Sequence, residues 1–216
     1  MGSDQIGFFD EPYESIELEG ASVALYRRFF DLPTSNHYFE SLHAETPWKV
    51  EKTILFGKLV PVPRLTAWYG DHDAEYTYSG IELSPIPWSP LLLDIKDYLS
   101  NFFEFNINSA LLNLYRDGQD SVSWHADDEP ELGTQPTIIS ISLGEKRRFR
   151  LRRKNSESDE ERVSIDLSHG DLLLMKGRTQ QNWEHSLPKT SRDIGPRINV
   201  TFRQVFQNES NKLATN

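Results

Sequence analysis

The sequence predicts a mainly β domain with flanking helices, in which a double-stranded β-helix, or jelly roll, carries N-terminal helices packed outside it. Three observations support this fold. The chain has 216 residues, 37% of them hydrophobic and 12% aromatic, which suits one domain with a sizeable core. Helical periodicity is confined to the first half. Short runs of β-forming residues separated by glycines follow after residue 108.

Two helices are expected before the β-rich half. The first covers about residues 34–45. The second begins after Ser89, which can act as the N-cap, with Pro90 at the first helical position. One stripe of this helix is apolar and consists of Leu91, Leu92, Ile95, Leu99 and Phe102. That stripe predicts a helix lying against a sheet.

Seven strands are expected after these helices. They cover residues 110–115, 122–125, 137–143, 147–153, 163–167, 171–176 and 197–206. Helices first and many short strands afterwards favour an antiparallel double-sheet barrel. The polar residues 155–162 and the tail 207–216 are predicted to be disordered.

Charge and composition limit the classes of partner. The net charge of −10 weakens nonspecific attraction to nucleic acid, although residues 146–154 form a basic cluster. No apolar run approaches the roughly 18 residues of a membrane span, so we expect a soluble, intracellular monomer without a membrane partner. The chain contains no cysteine, which excludes disulfides, thiol catalysis and cysteine-based zinc sites.

Three residues form a candidate metal site. His125 and Asp127 are two apart, so in a strand their side chains would point the same way, and His185 could join them from a neighbouring strand. Two histidines and one carboxylate on one face of a metal leave positions open for a co-substrate and O2, as in non-haem Fe(II) oxygenases. The alternative is that His125 and Asp127 only hydrogen-bond at a strand end.

The last predicted strand carries a polar face. Its alternating polar residues are Arg197, Asn199, Thr201 and Arg203. If this face lines the barrel interior, its guanidinium groups require a charged ligand, and their separation suits a small dicarboxylate such as 2-oxoglutarate. Asn113 and Tyr115 share a face of another strand and could contact the same ligand. The alternative is that both polar faces are solvated.

Several motifs in the same order resemble the AlkB-type Fe(II)/2-oxoglutarate-dependent dioxygenases, and among them the branch that repairs duplex DNA. The resemblance runs from about residue 52 to 204. It includes Tyr69-Gly70-Asp71, Tyr76-Thr77-Tyr78-Ser79-Gly80, Asn113-Leu114-Tyr115-Arg116-Asp117-Gly118, His125-Ala126-Asp127, His185-Ser186-Leu187-Pro188 and Arg197-Ile198-Asn199-Val200-Thr201-Phe202-Arg203.

The resemblance implies a role for each matching residue. The iron ligands would be His125, Asp127 and His185. The 2-oxoglutarate contacts would be Asn113, Tyr115, Arg197, Asn199, Thr201 and Arg203. Residues that would close over or face an extruded base are Tyr76, Tyr78, Ser79, Glu129 and Arg64. Leu55, Phe56 and Gly57 would form an apolar wedge that enters the duplex when a base leaves it. A buried strand over residues 54–60 is the alternative to this wedge.

The activity implied is oxidative demethylation of N-alkylated bases in DNA, such as 1-methyladenine and 3-methylcytosine, with Fe(II) as cofactor and 2-oxoglutarate and O2 as co-substrates. Residues 1–206 would then be a single dioxygenase domain. It would comprise an N-terminal extension and helix (1–50), a nucleotide-recognition region (52–108) and a jelly-roll core (109–206). The partner would be alkylated DNA, duplex or single-stranded, in the cytoplasm of a bacterium or the nucleus of a eukaryote.

Two alternatives remain at this point. The same oxygenase chemistry could act on RNA or on a protein side chain. A non-catalytic binding module of cupin type would share the jelly roll but would not need the polar face that runs from Arg197 to Arg203.

Overall fold

The computed structural model describes residues 12–55, 58–72, 74, 76–78, 81–83, 85–155 and 162–206. Within these ranges the strands are β1 (Glu14–Ile16), β2 (Ser22–Tyr26), β3 (Lys52–Leu55), β4 (Lys58–Pro61), β5 (Leu65–Gly70), β6 (Tyr76–Tyr78), β7 (Ile81–Leu83), β8 (Ser109–Tyr115), β9 (Val122–His125), β10 (Ile138–Gly144), β11 (Arg147–Arg153), β12 (Arg162–Leu167), β13 (Leu172–Lys176), β14 (Trp183–Leu187) and β15 (Arg197–Arg203). The helices are α1 (Leu32–Glu45), α2 (Pro90–Phe102) and α3 (Thr179–Asn182).

Two antiparallel sheets form the barrel. The larger has the order β1-β2-β13-β10-β15-β8-β5, and the smaller has the order β12-β11-β14-β9. Their inner faces share one apolar cluster, in which Leu25, Ile138 and Leu173 of the large sheet pack with Leu151 and Ile165 of the small sheet. Side chains of facing sheets interdigitate in this way in double-sheet folds. The predicted jelly roll is therefore confirmed.

Helices α1 and α2 cover the outer face of the large sheet. Leu42 of α1 and Leu99 of α2 are buried in the same cluster as Leu112 and Val200 from the strands. The Ser89 side chain accepts a hydrogen bond from the Leu92 amide, which confirms the predicted N-cap of α2. Helix α1 begins slightly earlier than expected because the preceding aspartate caps it.

The large sheet recruits strands that the sequence did not predict. Strands β1, β2 and β5 belong to it, so the sheet extends beyond the 109–206 range expected for the jelly-roll core. Strand β5 was missed because nearly every residue in it is buried, which removes the alternation of polar and apolar residues that marks a half-exposed strand. Strand β15 ends at Arg203, before the expected residue 206, because the Val205 amide donates to the Asn108 side chain.

Two small hairpins lie outside the main sheets. Strands β3 and β4 pair antiparallel with Leu55 opposite Lys58, so the chain reverses between them and the continuous strand considered for residues 54–60 is wrong. Strands β6 and β7 pair in the same manner. Phe56, Gly57 and Ser79 lie outside the described residues. None of the helices that the structure describes is long and apolar enough to cross a membrane.

Candidate active site

Three potential ligand atoms meet between the two sheets. The Nε2 atoms of His125 and His185 each lie 3.8 Å from Oδ1 of Asp127, and the ligand atoms of all three residues lie within 4.8 Å of one another. The two histidines are cross-strand partners, His125 at the end of β9 and His185 within β14. The expectation that His185 arrives from a neighbouring strand is confirmed. This cluster could hold one metal ion.

Asp127 does not lie in the same strand as His125. Strand β9 ends at His125, and Asp127 follows in a non-strand segment. Its amide donates to Oε1 of Gln180, and its Oδ2 accepts a hydrogen bond of 2.7 Å from Arg203 Nη2. The expectation that His125 and Asp127 project together from one strand is therefore wrong, because two distant residues fix the carboxylate instead.

The protonation states suit a metal ligand set. Burial would raise the pKa of Asp127, but the positive charge of Arg203, followed by His185 and His125, lowers it to about 2. Burial and the neighbouring His125 lower the pKa of His185 to about 3. At neutral pH the site therefore holds a carboxylate and a neutral imidazole, the forms that bind metal.

Both histidines keep their Nε2 atoms available for a metal ion. His125 Nδ1 lies 2.9 Å from the Ser123 carbonyl, which favours a proton on Nδ1 and a lone pair on Nε2. His185 Nδ1 is buried and has no hydrogen-bond partner in the described part of the chain. Its ring packs on Phe149. Two imidazoles and one carboxylate on one side of a metal fit ferrous iron with open positions.

The polar face of β15 lines the cavity that contains this cluster. The residues concerned are Arg197, Asn199, Thr201 and Arg203, with Asn113 and Tyr115 from β8 and Ser140 from β10. Tyr115 pairs with Arg197 and Asn113 pairs with Asn199, so their side chains stand side by side. The prediction that these residues share an interior face is confirmed, and the alternative of solvated faces is wrong for them. The space within the cavity and its open mouth together is ≈ 540 Å³.

The two arginines of β15 lie at opposite ends of the strand. Arg203 contacts Asp127 at the metal end, while Arg197 at the far end donates from Nη2 to Ser142 Oγ at 2.8 Å. Arg197 Nε is buried and has no hydrogen-bond partner within the described residues. Burial lowers the pKa of Arg197 to about 10, so it remains charged at neutral pH. A buried cationic donor without a partner fits a ligand carboxylate at this end of the cavity.

One arginine of the predicted basic cluster, Arg147, is buried beside Tyr115. Arg147 donates to the carbonyls of Asp117, Asp120 and Pro188. Its guanidinium carbon lies 5.7 Å from the centre of the Tyr115 ring, and that of Arg197 lies 5.4 Å from it. Arg147 has the same parity in β11 as Phe149 and Leu151, so strand alternation could have identified it as inward-facing.

Ser140, Ser142 and Gln180 were also missed. Asn199 Nδ2 donates to Ser140 Oγ at 2.8 Å, and Ser142 accepts from Arg197. The alternation Ile139-Ser140-Ile141-Ser142 was the available signal for the two serines. Gln180 had no sequence signal, because its contact with Asp127 spans 53 residues.

The predicted base-pocket residues are placed in part. Arg64 lines the cavity, and its Nε donates to Asn113 Oδ1 at 2.8 Å. Glu129 stands two residues beyond Asp127; its Oε2 is buried and has no hydrogen-bond partner in the described ranges. Tyr76 and Tyr78 are the first and last residues of β6, the first strand of its hairpin.

Comparisons with known proteins agree with this geometry. The family model of the 2OG-Fe(II) oxygenase superfamily matches residues 22–203. The chain belongs to this superfamily. It is an Fe(II)- and 2-oxoglutarate-dependent dioxygenase of the AlkB type, so the non-catalytic cupin-type alternative is wrong.

Individual relatives of this dioxygenase are proteins of the same type. The mouse alpha-ketoglutarate-dependent dioxygenase alkB homolog 3 is 44% identical over 85% of the chain and 66% of that protein, and the bovine homolog 3 is 41% identical over 94% and 80%. The human DNA oxidative demethylase ALKBH2 is 37% identical over 90% of the chain and 77% of that protein. The solved structure of OsALKBH1 has a TM-score of 0.61 at 15% identity and covers 89% of the chain and 100% of that structure. This last likeness concerns the fold alone.

Proposed function

We propose that this dioxygenase demethylates N-alkylated bases in DNA, of the 1-methyladenine and 3-methylcytosine type, and thereby repairs them directly. The observation that carries the proposal is the sharing of one cavity by the His125, Asp127 and His185 cluster and the polar face of β15. The relatives named as DNA oxidative demethylases support DNA as the substrate. Overall, 2-oxoglutarate, O2 and the N-methyl group would give succinate, CO2, formaldehyde and the unmodified base.

The ligand set would come from His125, Asp127 and His185. Iron bound there would supply the activation of O2 and the oxidising power for the methyl group. The protein would fix the ligand atoms before binding, since Arg203 and Gln180 already hold Asp127 in place. Arg203 also compensates the carboxylate charge, which keeps Asp127 ionised within a buried site.

The co-substrate would lie along β15. Among the described residues that line the cavity are three guanidinium groups, those of Arg64, Arg197 and Arg203, against one carboxylate, that of Asp127, so their fixed charge favours an anion. We assign the distal carboxylate of 2-oxoglutarate to Arg197, whose buried Nε has no other partner within the described residues. The remaining contacts are assigned to the polar groups of Asn113, Tyr115, Asn199, Thr201 and Arg203.

The modified base would enter from the side of the two hairpins. We assign Tyr76, Tyr78 and Ser79 to closure over the base, and Glu129 and Arg64 to its edge. A carboxylate near the base would favour cationic lesions electrostatically. Aromatic stacking on a base contributes on the order of 1–3 kcal/mol. The buried Oε2 of Glu129, without a partner in the described ranges, is consistent with a carboxylate that awaits a ligand.

The β3–β4 hairpin would contact the duplex. The chain reverses between Leu55 and Lys58, and Phe56 and Gly57 are the two residues between them in the sequence. We propose that Leu55, Phe56 and Gly57 form a wedge that occupies the space left by the extruded base. In this assignment residues 52–108 serve nucleotide recognition, and residues 1–206 act as one domain.

Product analysis tests the proposed function. Oligonucleotides carrying 1-methyladenine or 3-methylcytosine should release formaldehyde and form succinate only when iron and 2-oxoglutarate are both present. Asp127→Ala should abolish both products. Turnover of RNA or of a methylated peptide with no turnover of DNA would contradict the proposed substrate. Phe56→Ala should slow duplex repair more than single-strand repair; equal losses would rule out the wedge.

A further inference from the structure

A cationic groove lies next to the catalytic cavity. It is lined by Glu145, Lys146, Arg147, Arg148, Arg150, Asp166, Pro188, Lys189, Thr190, Arg192 and Ile194. The space within it and at its open side is ≈ 780 Å³. Two features join groove and cavity. Pro188 in the groove directly follows Leu187 in the cavity wall, and the guanidinium of Arg147 at the groove lies over the ring of the cavity residue Tyr115.

The groove concentrates positive charge on an acidic protein. Six of its residues are cationic and two are acidic, whereas the whole chain carries −10. Apart from the buried Arg147, all its cationic residues are exposed. The carboxylate of Asp166 pairs with Arg148 at 3.0 Å. Hydrogen bonding to Arg148 is also the main reason that the pKa of Asp166 is lowered, and Lys146 and Arg192 contribute to the same shift.

The cations at the other end of the basic cluster are neutralised by specific partners. Arg152 pairs with Glu184, Arg153 with Glu19 and Lys154 with Asp128, at 2.6, 2.6 and 2.7 Å. The groove end of β11 differs. Two cations there are exposed, Lys146 directly before the strand and Arg150 within it. Like the exposed groove residues Lys189 and Arg192, they have no hydrogen-bonded carboxylate partner among the residues described. Within the described ranges none of these four cations is held in a hydrogen-bonded ion pair, so each can contact an anionic partner.

We propose that this groove binds the phosphodiester backbone of the nucleic acid whose modified base occupies the neighbouring cavity. The proposal rests on the proposed function and extends it to a second binding surface. Exposed cations bind phosphates mainly by releasing condensed counterions, and such contacts position a strand without reading its sequence. A groove that runs from the cavity wall at Leu187 and Pro188 is placed to hold a strand beside the reacting base. It would also offset the repulsion expected from the acidic remainder of the protein.

Salt-dependent binding tests the groove directly. The test variant combines Lys146→Ala, Arg150→Ala and Arg192→Ala. The control variant combines Arg28→Ala, Lys96→Ala and Lys176→Ala, which removes the same charge from residues that line neither the groove nor the cavity. Fluorescence anisotropy would follow a labelled single-stranded oligonucleotide of about 12 nucleotides. Thermal unfolding should show that both variants are folded.

The groove variant should lose salt dependence as well as affinity. Each lost phosphate contact reduces the slope of log K against log salt by about 0.7 on a single strand, so three lost contacts reduce it by about 2. Between about 50 and 200 mM salt, this slope change makes the defect about tenfold or more larger at the low salt concentration. The control variant should keep the wild-type slope.

Other results would overturn the proposal. One is a groove variant whose slope and affinity equal those of the control. Another is a rise in the melting temperature of the wild type with inorganic phosphate that the groove variant lacks, while both proteins bind the oligonucleotide equally. The groove would then be a site for small anions only. Formaldehyde release by the wild type is measured separately. Its absence would contradict the proposed function without affecting the binding slope, so the two failures are distinguishable.

Discussion

Replacing Arg203 by methionine should destabilise the metal-free protein strongly. Arg203 and Asp127 are both almost fully buried, and their side chains meet at 2.7 Å. Arg203→Met keeps much of the side-chain volume but leaves Asp127 as a buried charge without its main compensating partner. Removing one member of a buried ion pair costs about 3–5 kcal/mol. We expect a loss of this size in the free energy of unfolding, measured with urea after removal of iron and without 2-oxoglutarate.

A double-mutant cycle separates this effect from simple loss of packing. Asp127→Asn alone should also be costly, because it leaves Arg203 buried opposite a neutral amide. Arg203→Met combined with Asp127→Asn should be less destabilised than the sum of the single variants, with a coupling energy of about 2–3 kcal/mol. Additive losses, or a loss below about 1 kcal/mol for Arg203→Met, would refute the view that this pair holds the metal site in place.

Three further predictions concern protonation and folding. The pKa of His185 falls from 6.5 to about 3 on folding, so below pH 6.5 the unfolded chain takes up a proton that the folded protein does not. The free energy of unfolding of the metal-free wild type should therefore fall by up to about 1.4 kcal/mol per pH unit below 6.5. His185→Gln should lack this pH dependence in urea titrations. Arg147→Met leaves buried carbonyls unpaired and should lower the free energy of unfolding by about 3–5 kcal/mol. The matched control Arg148→Met removes an exposed ion pair and should lower it by less than about 1 kcal/mol. Equal losses would contradict a buried structural role for Arg147. In Gly144→Ala the new methyl group would meet the Pro196 carbonyl and the Phe39 ring at a position with positive φ, so thermal unfolding should show a loss of stability of about 2–5 kcal/mol. In Gly177→Ala the φ is also positive but no atom of the described residues lies near the new methyl group, so the loss should be about 1–2 kcal/mol.

The sequence was most informative where local alternation coincides with burial. Strand β15 alternates arginine, asparagine and threonine with apolar residues, so its two faces could be predicted. Its polar face lines the cavity, and its apolar face is buried in the cluster that contains residues of the helices. The second helix was equally clear, because Ser89 and Pro90 mark its start and the apolar stripe marks its buried side. Both elements are specified by residues close together in the chain.

Features that depend on distant contacts could not be predicted in the same way. The position of Asp127 depends on Gln180 and Arg203, which are separated from it by 53 and 76 residues. The addition of β2 to the large sheet depends on pairing with β13, which lies far away in the sequence. Arg147 could have been placed from its parity in β11, but the surrounding basic residues suggested a surface cluster.

The most direct test of the central claim is the stoichiometry of products from a 1-methyladenine oligodeoxynucleotide. Wild-type protein with iron, 2-oxoglutarate and O2 should release one formaldehyde for each repaired base, with succinate formed alongside, and Asp127→Ala should release none. Formaldehyde release that persists in Asp127→Ala, or that continues without 2-oxoglutarate, would contradict the assignment of the cavity between the sheets as the demethylation site.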